Sequence, residues 1–239
     1  MFGYHLQLAW RSLRRTPGLS ALMIAAVGLG VGVCMTMLSV YALMSRDPIP
    51  HRSGVLHAVQ IDSWSPNRPF AEPNEPPPQL TWRDSVALWE RSPTGLRRVA
   101  MASTNFALEV PGAAEVRPEL PLVRATTADF FAMFDVPFLY GGGWDALADR
   151  DMAPVIVLSR EMNDRLFGGE DSVGRQVQSG ETLLTVVGVI DTWRPVPRFY
   201  DLRSGNAFRD DDDVFVPLLL LERHAQRWQP SGDVNCWQA

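Results

Sequence analysis

The chain of 239 residues contains no lysine; all 22 of its basic residues are arginine. A P-loop needs a lysine to reach the nucleotide phosphates, so ATP is not bound here through a Walker A sequence. Histidine is scarce. His5, His51, His57 and His224 are scattered, without an H-E-x-x-H pattern. There is no C-x-x-C and no G-x-S-x-G, so zinc and nucleophile-elbow chemistry have no residues to rest on. Gly28, Gly30 and Gly32 have a spacing like a dinucleotide fingerprint, but they lie inside an apolar run with no strand before it. No catalytic, cofactor-binding or metal-binding residue is therefore assigned. Asp210 to Asp213 and the trio Asp145, Asp149 and Asp151 read as solvated loop acids rather than calcium ligands. Positive charge is also lacking. The net charge is −5, and the three arginines of the first 18 residues leave the remainder more acidic still. That balance argues against nucleic acid as a partner.

What the chain does have is one long uncharged run. Residues 19–44 carry no charge and include ten Leu, Ile or Val. As a helix they would extend ~39 Å, beyond the ~30 Å hydrocarbon core of a bilayer. Insertion of those ten residues would gain about 3–6 kcal/mol before end effects. A secretory signal has an apolar region of only ~7–15 residues, and no A-x-A site precedes Arg46, so an uncleaved anchor is expected. Arg11, Arg14 and Arg15 precede the run and no acid occurs before Asp47, which predicts a cytoplasmic N-terminus. Phe2, Leu6, Trp10 and Leu13 recur at helical spacing. Residues 2–15 thus read either as an amphipathic segment holding Trp10, Arg11, Arg14 and Arg15 in the cytoplasmic lipid interface, or as a plain topology signal. Pro17-Gly18 should break that segment from the span. Within the span, Ala25, Gly28 and Gly32 approximate small-xxx-small spacing and suit close approach of another membrane helix. The expected layout is a cytoplasmic segment (1–18), a transmembrane helix (19–44) and an outer domain (45–239).

The outer part reads as α+β, in one or two subdomains, because strands and short helices mix without strict alternation. Strands are expected over residues 55–62, 99–110, 116–125 and 154–158, with a hairpin of 173–178 and 183–190 turning at Ser179-Gly180, and a final strand at 214–216. A proline-rich loop spans 66–78. Thr81 should cap a helix to about Glu90 whose Trp82, Val86 and Trp89 anchor the core. Thr127 should cap a helix of 128–134 with Phe130, Phe131 and Phe134 on its apolar face, and Ser159 a helix ending at Gly168-Gly169. Gly141-Gly142-Gly143 marks a turn, and a Leu-rich turn or helix follows Pro217. Cys34 lies in the span and Cys236 beyond it, so no internal disulfide is expected. Cys236 reads as a tail thiol open to another chain or to a cysteine of a longer parent.

Several segments, in order, resemble the MacB/FtsX-like ABC transporter permeases. Leu8-Ala9-Trp10-Arg11-Ser12-Leu13-Arg14-Arg15-Thr16-Pro17 is similar to that family's opening into its first membrane helix. Thr127-Ala128-Asp129-Phe130-Phe131 is similar to its T-P-x-Y-F element, and Pro154-Val155-Ile156-Val157-Leu158-Ser159 with Arg165-Leu166-Phe167-Gly168 to P-V-A-V-L-S … R-L-F-G. Asp171-Ser172-Val173-Gly174-Arg175 is similar to D-P-V-G-K, Thr185-Val186-Val187-Gly188-Val189 to Y-T-V-V-G-V, and Asp213-Val214-Phe215-Val216-Pro217 to D-V-Y-V-P-L. Gly141-Gly142-Gly143-Trp144 and Ser172 depart from the pattern. The family has further membrane helices, so the chain is expected to be a segment of a longer permease. The resemblance implies a bacterial inner-membrane protein with its main domain periplasmic or extracellular, built around a MacB-like periplasmic core domain. It also implies an ABC ATPase subunit that binds the ATP, a second permease copy and a periplasmic adaptor as partners, beside membrane lipid. A single-span adaptor or sensor without transport is the alternative.

Overall fold

The computed structural model describes residues 5, 15–65, 67–70, 76–91, 95–112, 117–201, 207–228 and 234–239. The chain divides into two compact units, Met1–Arg46 and Asp47–Ala239. The first holds helix α1 (Pro17–Met44), of 28 residues, none of them buried. Its mean hydropathy reaches 2.2, and at ~1.5 Å per residue it extends ~42 Å, long enough to cross a bilayer. Apolar surface surrounds it, a pattern suited to lipid rather than to the edge of an aqueous core. Pro17 opens the helix at its first position, where a missing N–H leaves no bond unmade. Gly18 lies in the first turn, and the expected break falls just before Pro17, at Thr16 (φ −132, ψ 67), which follows the helical Arg15. Of the interfacial segment expected over residues 2–15, all but His5 and Arg15 lies outside the described residues.

The second unit is organised by one mixed nine-stranded sheet. Its strands are β1 (His57–Val59), β2 (Arg98–Thr104), β3 (Val123–Thr126), β4 (Phe138–Gly141), β5 (Val155–Ser159), β6 (Gln176–Ser179), β7 (Thr182–Ile190), β8 (Val214–Pro217) and β9 (Asn235–Gln238). The order is β1-β9-β2-β3-β8-β5-β7-β4, with β6 also pairing β7. The pairs β3–β8 and β5–β7 are parallel and the rest antiparallel. One sheet thus runs through the whole outer unit, where two subdomains had been an open reading.

Both faces of the sheet are buried. Ala100, Ile156, Leu158, Val214, Val216 and Cys236 enter one core, while Val99, Met101, Val157, Phe215 and Trp237 enter the other. That is the period-2 geometry of a strand covered on both sides, and it explains near-continuous apolar runs such as Val155-Ile156-Val157-Leu158. Helices α2 (Trp82–Glu90), α3 (Asp129–Met133), α4 (Ala146–Arg150), α5 (Arg160–Phe167) and α6 (Leu220–Arg223) complete the unit. The first core is covered by Trp82, Met162, Phe167, Leu220, Leu221 and Trp228, the second by aromatic rings centred on Phe130.

Several local expectations hold. The Thr81 hydroxyl accepts from the Asp84 amide at 3.2 Å, and Ser159 Oγ accepts from Met162 at 3.1 Å. Gly168 ends α5 in the left-handed region. Others change. The strand expected over 55–62 shrinks to the edge strand β1, because residues 52–55 turn and Val55 is exposed. The strands over 99–110 and 116–125 contract to β2 and β3, joined beyond by an isolated Leu108–Glu119 bridge. The hairpin turns at Gly180-Glu181, one residue later than expected. Trp82 and Trp89 pack against the core while staying partly exposed. The proline-rich stretch falls partly outside the described residues. Thr127 does not cap α3; its hydroxyl is buried without a hydrogen-bond partner. The last strand is β9, not β8, and it lies between β1 and β2. Cys236 on β9 is buried, and burial pushes its thiol up to about 11. It is therefore a small core residue and not a tail thiol poised for exchange.

Gly141 belongs to β4, and the glycines after it permit a close approach. The Gly142 N–H donates to the Val187 carbonyl at 3.2 Å. A Cβ on Gly188 would fall 2.2 Å from the Gly142 carbonyl oxygen. Gly188→Ala should therefore lower unfolding free energy by at least ~2 kcal/mol. Gly180→Ala, which meets open space at φ +60, should cost only ~1 kcal/mol. Denaturant unfolding of the detergent-solubilised chain, followed by tryptophan fluorescence, checks the order.

Candidate functional site

A charged side chain sits in the middle of the sheet. Arg124 on β3 lies between Val123 and Ala125, whose side chains enter the first core, so its own enters the second, among the aromatic rings. There its Nε donates to Asp212 at 2.9 Å and its Nη2 to Asp201 at 2.7 Å. The three side chains are 1–4% exposed. Arg198 Nη1 reaches Asp212 at 3.3 Å, the Tyr200 hydroxyl donates to Asp212 at 3.0 Å, and Asn235 on β9 donates to Asp201 at 3.3 Å. Burial pulls against the Arg124 charge, but Asp212, Tyr200 and Asp201 hold the guanidinium more firmly protonated than usual. Burial and the Asp212 charge raise the Tyr200 hydroxyl well above its ordinary value, so it remains a donor. Trp237 Nε1 donates to the Tyr200 carbonyl at 3.0 Å, tying β9 to the same knot.

Beside this network a cleft of about 670 Å³ opens where β5 and β7 end and β8 begins. Trp193, Tyr200 and Phe215 supply its aromatic lining, and Trp193 stacks on Tyr200 at 5.4 Å and 14°. Leu120 and Val196, 81% and 55% exposed, stand at its wall. Two arginines bridge acids across it. Arg165 joins Asp213 at 2.8 Å and Glu119 at 3.5 Å, while Arg194 joins Glu161 at 2.6 Å and Asp211 at 3.2 Å. The Asp213 carboxylate also accepts the Leu122 N–H at 2.9 Å.

The aspartates read as solvated loop acids are thus of two kinds. Asp212 is buried in the network and Asp213 holds β3, whereas Asp210 and Asp211 remain in the cleft. The second trio also divides. Asp145 caps α4 by accepting from Leu147 and Ala148. Asp149 is 2% exposed and accepts the Ala128 N–H and the Trp144 Nε1–H, each at 2.7 Å. It supplies the acceptor at the start of α3 that Thr127 does not. Burial pushes its carboxyl up to about 6 against those two donors, with Asp129 and Asp145 adding to the rise. Among the described residues, no group of three or more His, Cys, Asp or Glu could hold a metal ion.

Ala25, Gly28 and Gly32 lie on α1, all exposed, and a Cβ on either glycine would meet nothing within 4 Å. Arg15 is exposed; Trp10, Arg11 and Arg14 lie outside the described residues. Of the residues singled out in the sequence, Ala25, Gly28 and Gly32 share one exposed helix, and Asp210 to Asp213 line the cleft. The network it does assemble had one local signal, a charged residue flanked by apolar neighbours in a strand.

An apolar helix able to span a bilayer, with a mixed sheet covered on both faces beyond it, defines a membrane-anchored α+β protein. The model of the MacB-like periplasmic core domain matches residues 20–235, and the chain belongs to that family of ABC transporter permeases. The macrolide export ATP-binding/permease protein MacB of Rhodospirillum rubrum is 26% identical over 218 residues, which cover 91% of this chain and 31% of that protein. The chain thus spans about a third of that relative's length. The crystal structure of the periplasmic region of MacB from Actinobacillus actinomycetemcomitans superposes with a TM-score of 0.50 at 12% identity, over 78% of this chain and 74% of that one. That likeness is one of fold.

Two measurements test the buried charges. Arg124→Met leaves Asp212 and Asp201 without their shared cation and should cost about 3–5 kcal/mol of stability; adding Asp201→Asn and Asp212→Asn should restore part of it. Folded Asp149 keeps its proton between about pH 4 and pH 6, where the unfolded chain has lost it. Its contribution to stability is therefore present at low pH and lost as pH rises through that window, by about 2–3 kcal/mol. The stability difference between the native chain and Asp149→Asn should show that slope, measured by denaturation at stepped pH.

Proposed function

We propose that this chain is the anchor and outer domain of a permease subunit in an ABC exporter, and that it converts ATP hydrolysis by a partner subunit into movement of the outer domain. The observation that carries this reading is that one family match covers the apolar helix and the folded unit together. ATP is bound by the partner, consistent with a chain that has no lysine for a P-loop. The N-terminus is cytoplasmic, with Trp10, Arg11, Arg14 and Arg15 at the inner lipid interface, and the outer unit is periplasmic or extracellular. Ala25, Gly28 and Gly32 form the face that a neighbouring membrane helix approaches, in the same subunit or in a second permease copy. A periplasmic adaptor is a further partner. Motion reaches the outer unit with little slack, since only residues 45–48 separate the end of α1 from the buried Ile49, and Pro48 and Pro50 stiffen the entry.

Two results test this. An alkaline phosphatase fused after Ala239 should be active, and the gene product tagged at its native locus should retain an ABC ATPase subunit when extracted from membranes. An inactive fusion would overturn the orientation, and extraction without any ATPase would support the alternative of an anchored adaptor or sensor.

A further inference from the structure

The cleft beside the buried network combines features that the export reading leaves unused. Its volume of about 670 Å³ falls within the ~300–1,000 Å³ of small-molecule sites. Its lining joins an aromatic surface, Trp193 stacked on Tyr200, to the exposed apolar Leu120 and Val196. Arg165 and Arg194 are each engaged by two acids, and with Arg209 they make three arginines in a lining that carries seven acids, so the cleft has an excess of negative charge. Asp210 makes no hydrogen bond or ion pair among the described residues. Asp211 pairs with Arg194 at 3.2 Å, an arginine that it shares with Glu161. Burial pushes its carboxyl up, and repulsion from Asp212 and Glu161 adds to the rise against Arg198 and Arg194. Excess negative charge next to the half-buried Trp193 ring favours a cation with an apolar body, which gains both from the carboxylates and from that ring. A bare metal ion fits poorly, because the described acids do not converge as ligands and the apolar wall would face it with nothing to give.

We propose that this cleft binds a small organic cation with an apolar body, its ammonium or guanidinium group held by Asp210 and Asp211 and its apolar part laid on Trp193 and Leu120. The site belongs to the outer unit alone. Binding is read without any ATPase, so its failure would leave the coupling reading intact, and a missing ATPase would leave the binding measurement intact.

The test uses the full chain in phosphatidylcholine nanodiscs, with rhodamine 6G as the cationic probe and fluorescein as its anionic counterpart, followed by fluorescence anisotropy against empty nanodiscs. Rhodamine 6G should bind saturably and fluorescein should not. Asp210→Asn with Asp211→Asn should weaken rhodamine binding tenfold or more, and Leu120→Ser, at an exposed position that the fold does not use, several-fold. Raising sodium chloride from about 50 to 500 mM should weaken binding to the native chain, which provides a readout free of any folding defect. Absence of saturable binding, equal binding of fluorescein, indifference to salt, or an unchanged affinity in the folded double variant would each overturn the proposal.

Discussion

The outer unit depends on a charge that cannot be left alone. Arg124 is fully enclosed by protein, and only Asp212 and Asp201 make that tolerable. Those carboxylates come from positions 77 and 88 residues further along the chain. A buried ion pair contributes little net stability beside an apolar packing of the same volume, because desolvation takes back most of the attraction. Its consequence here is selection. In the parallel pair β3–β8, Arg124 stands opposite Phe215. A slip of one residue would turn its guanidinium into the opposite core, against Ala100, Ile156 and Leu158, with no acid to meet it. One register satisfies the charge, and the rest of the sheet is built outward from it.

The same knot shapes the cleft. Tyr200 donates its hydroxyl to Asp212 and presents a ring face to Trp193, so the aromatic lining is held in place by the buried charges beneath it. Asp212 is neutralised from within by Arg124 and Arg198, while Asp210 and Asp211 on the same short run face outward. Four consecutive aspartates therefore divide between a structural task and a charged surface. The division follows from strand geometry, because β8 begins at Val214 and fixes which side of the sheet each preceding residue can reach.

Features written in short windows were legible in the sequence. α1 follows from 26 uncharged residues, α5 from Ser159 and Gly168, the β6–β7 hairpin from alternation around a glycine, and the family from six ordered segments. What was not legible required partners far along the chain. β9 is four residues, Asn235-Cys236-Trp237-Gln238, with no pattern of its own; it is a strand because β1 and β2, about 180 and about 140 residues earlier, offer it hydrogen bonds on both sides. Thr127 has the look of a helix cap, yet the acceptor for α3 comes from Asp149, 21 residues after the Ala128 amide that it binds. Sequence alone could not sort the acids either, since a solvated aspartate and one buried against arginine are the same letter.

The path by which the chain enters its outer unit leads back to that knot. Ile49, the first buried residue after α1, lines a small cavity of about 270 Å³ with Leu56, Phe199 and Trp237. Trp237 donates to the Tyr200 carbonyl and meets Phe199 edge to face, and Tyr200 holds Asp212. Packed side chains therefore run from Ile49 through Trp237 and Tyr200 to the lining of the acidic cleft. Packing of this density transmits displacement instead of absorbing it. The cavity beside Ile49 leaves space for a second side-chain arrangement there, and coupling between distant sites requires such a two-state element.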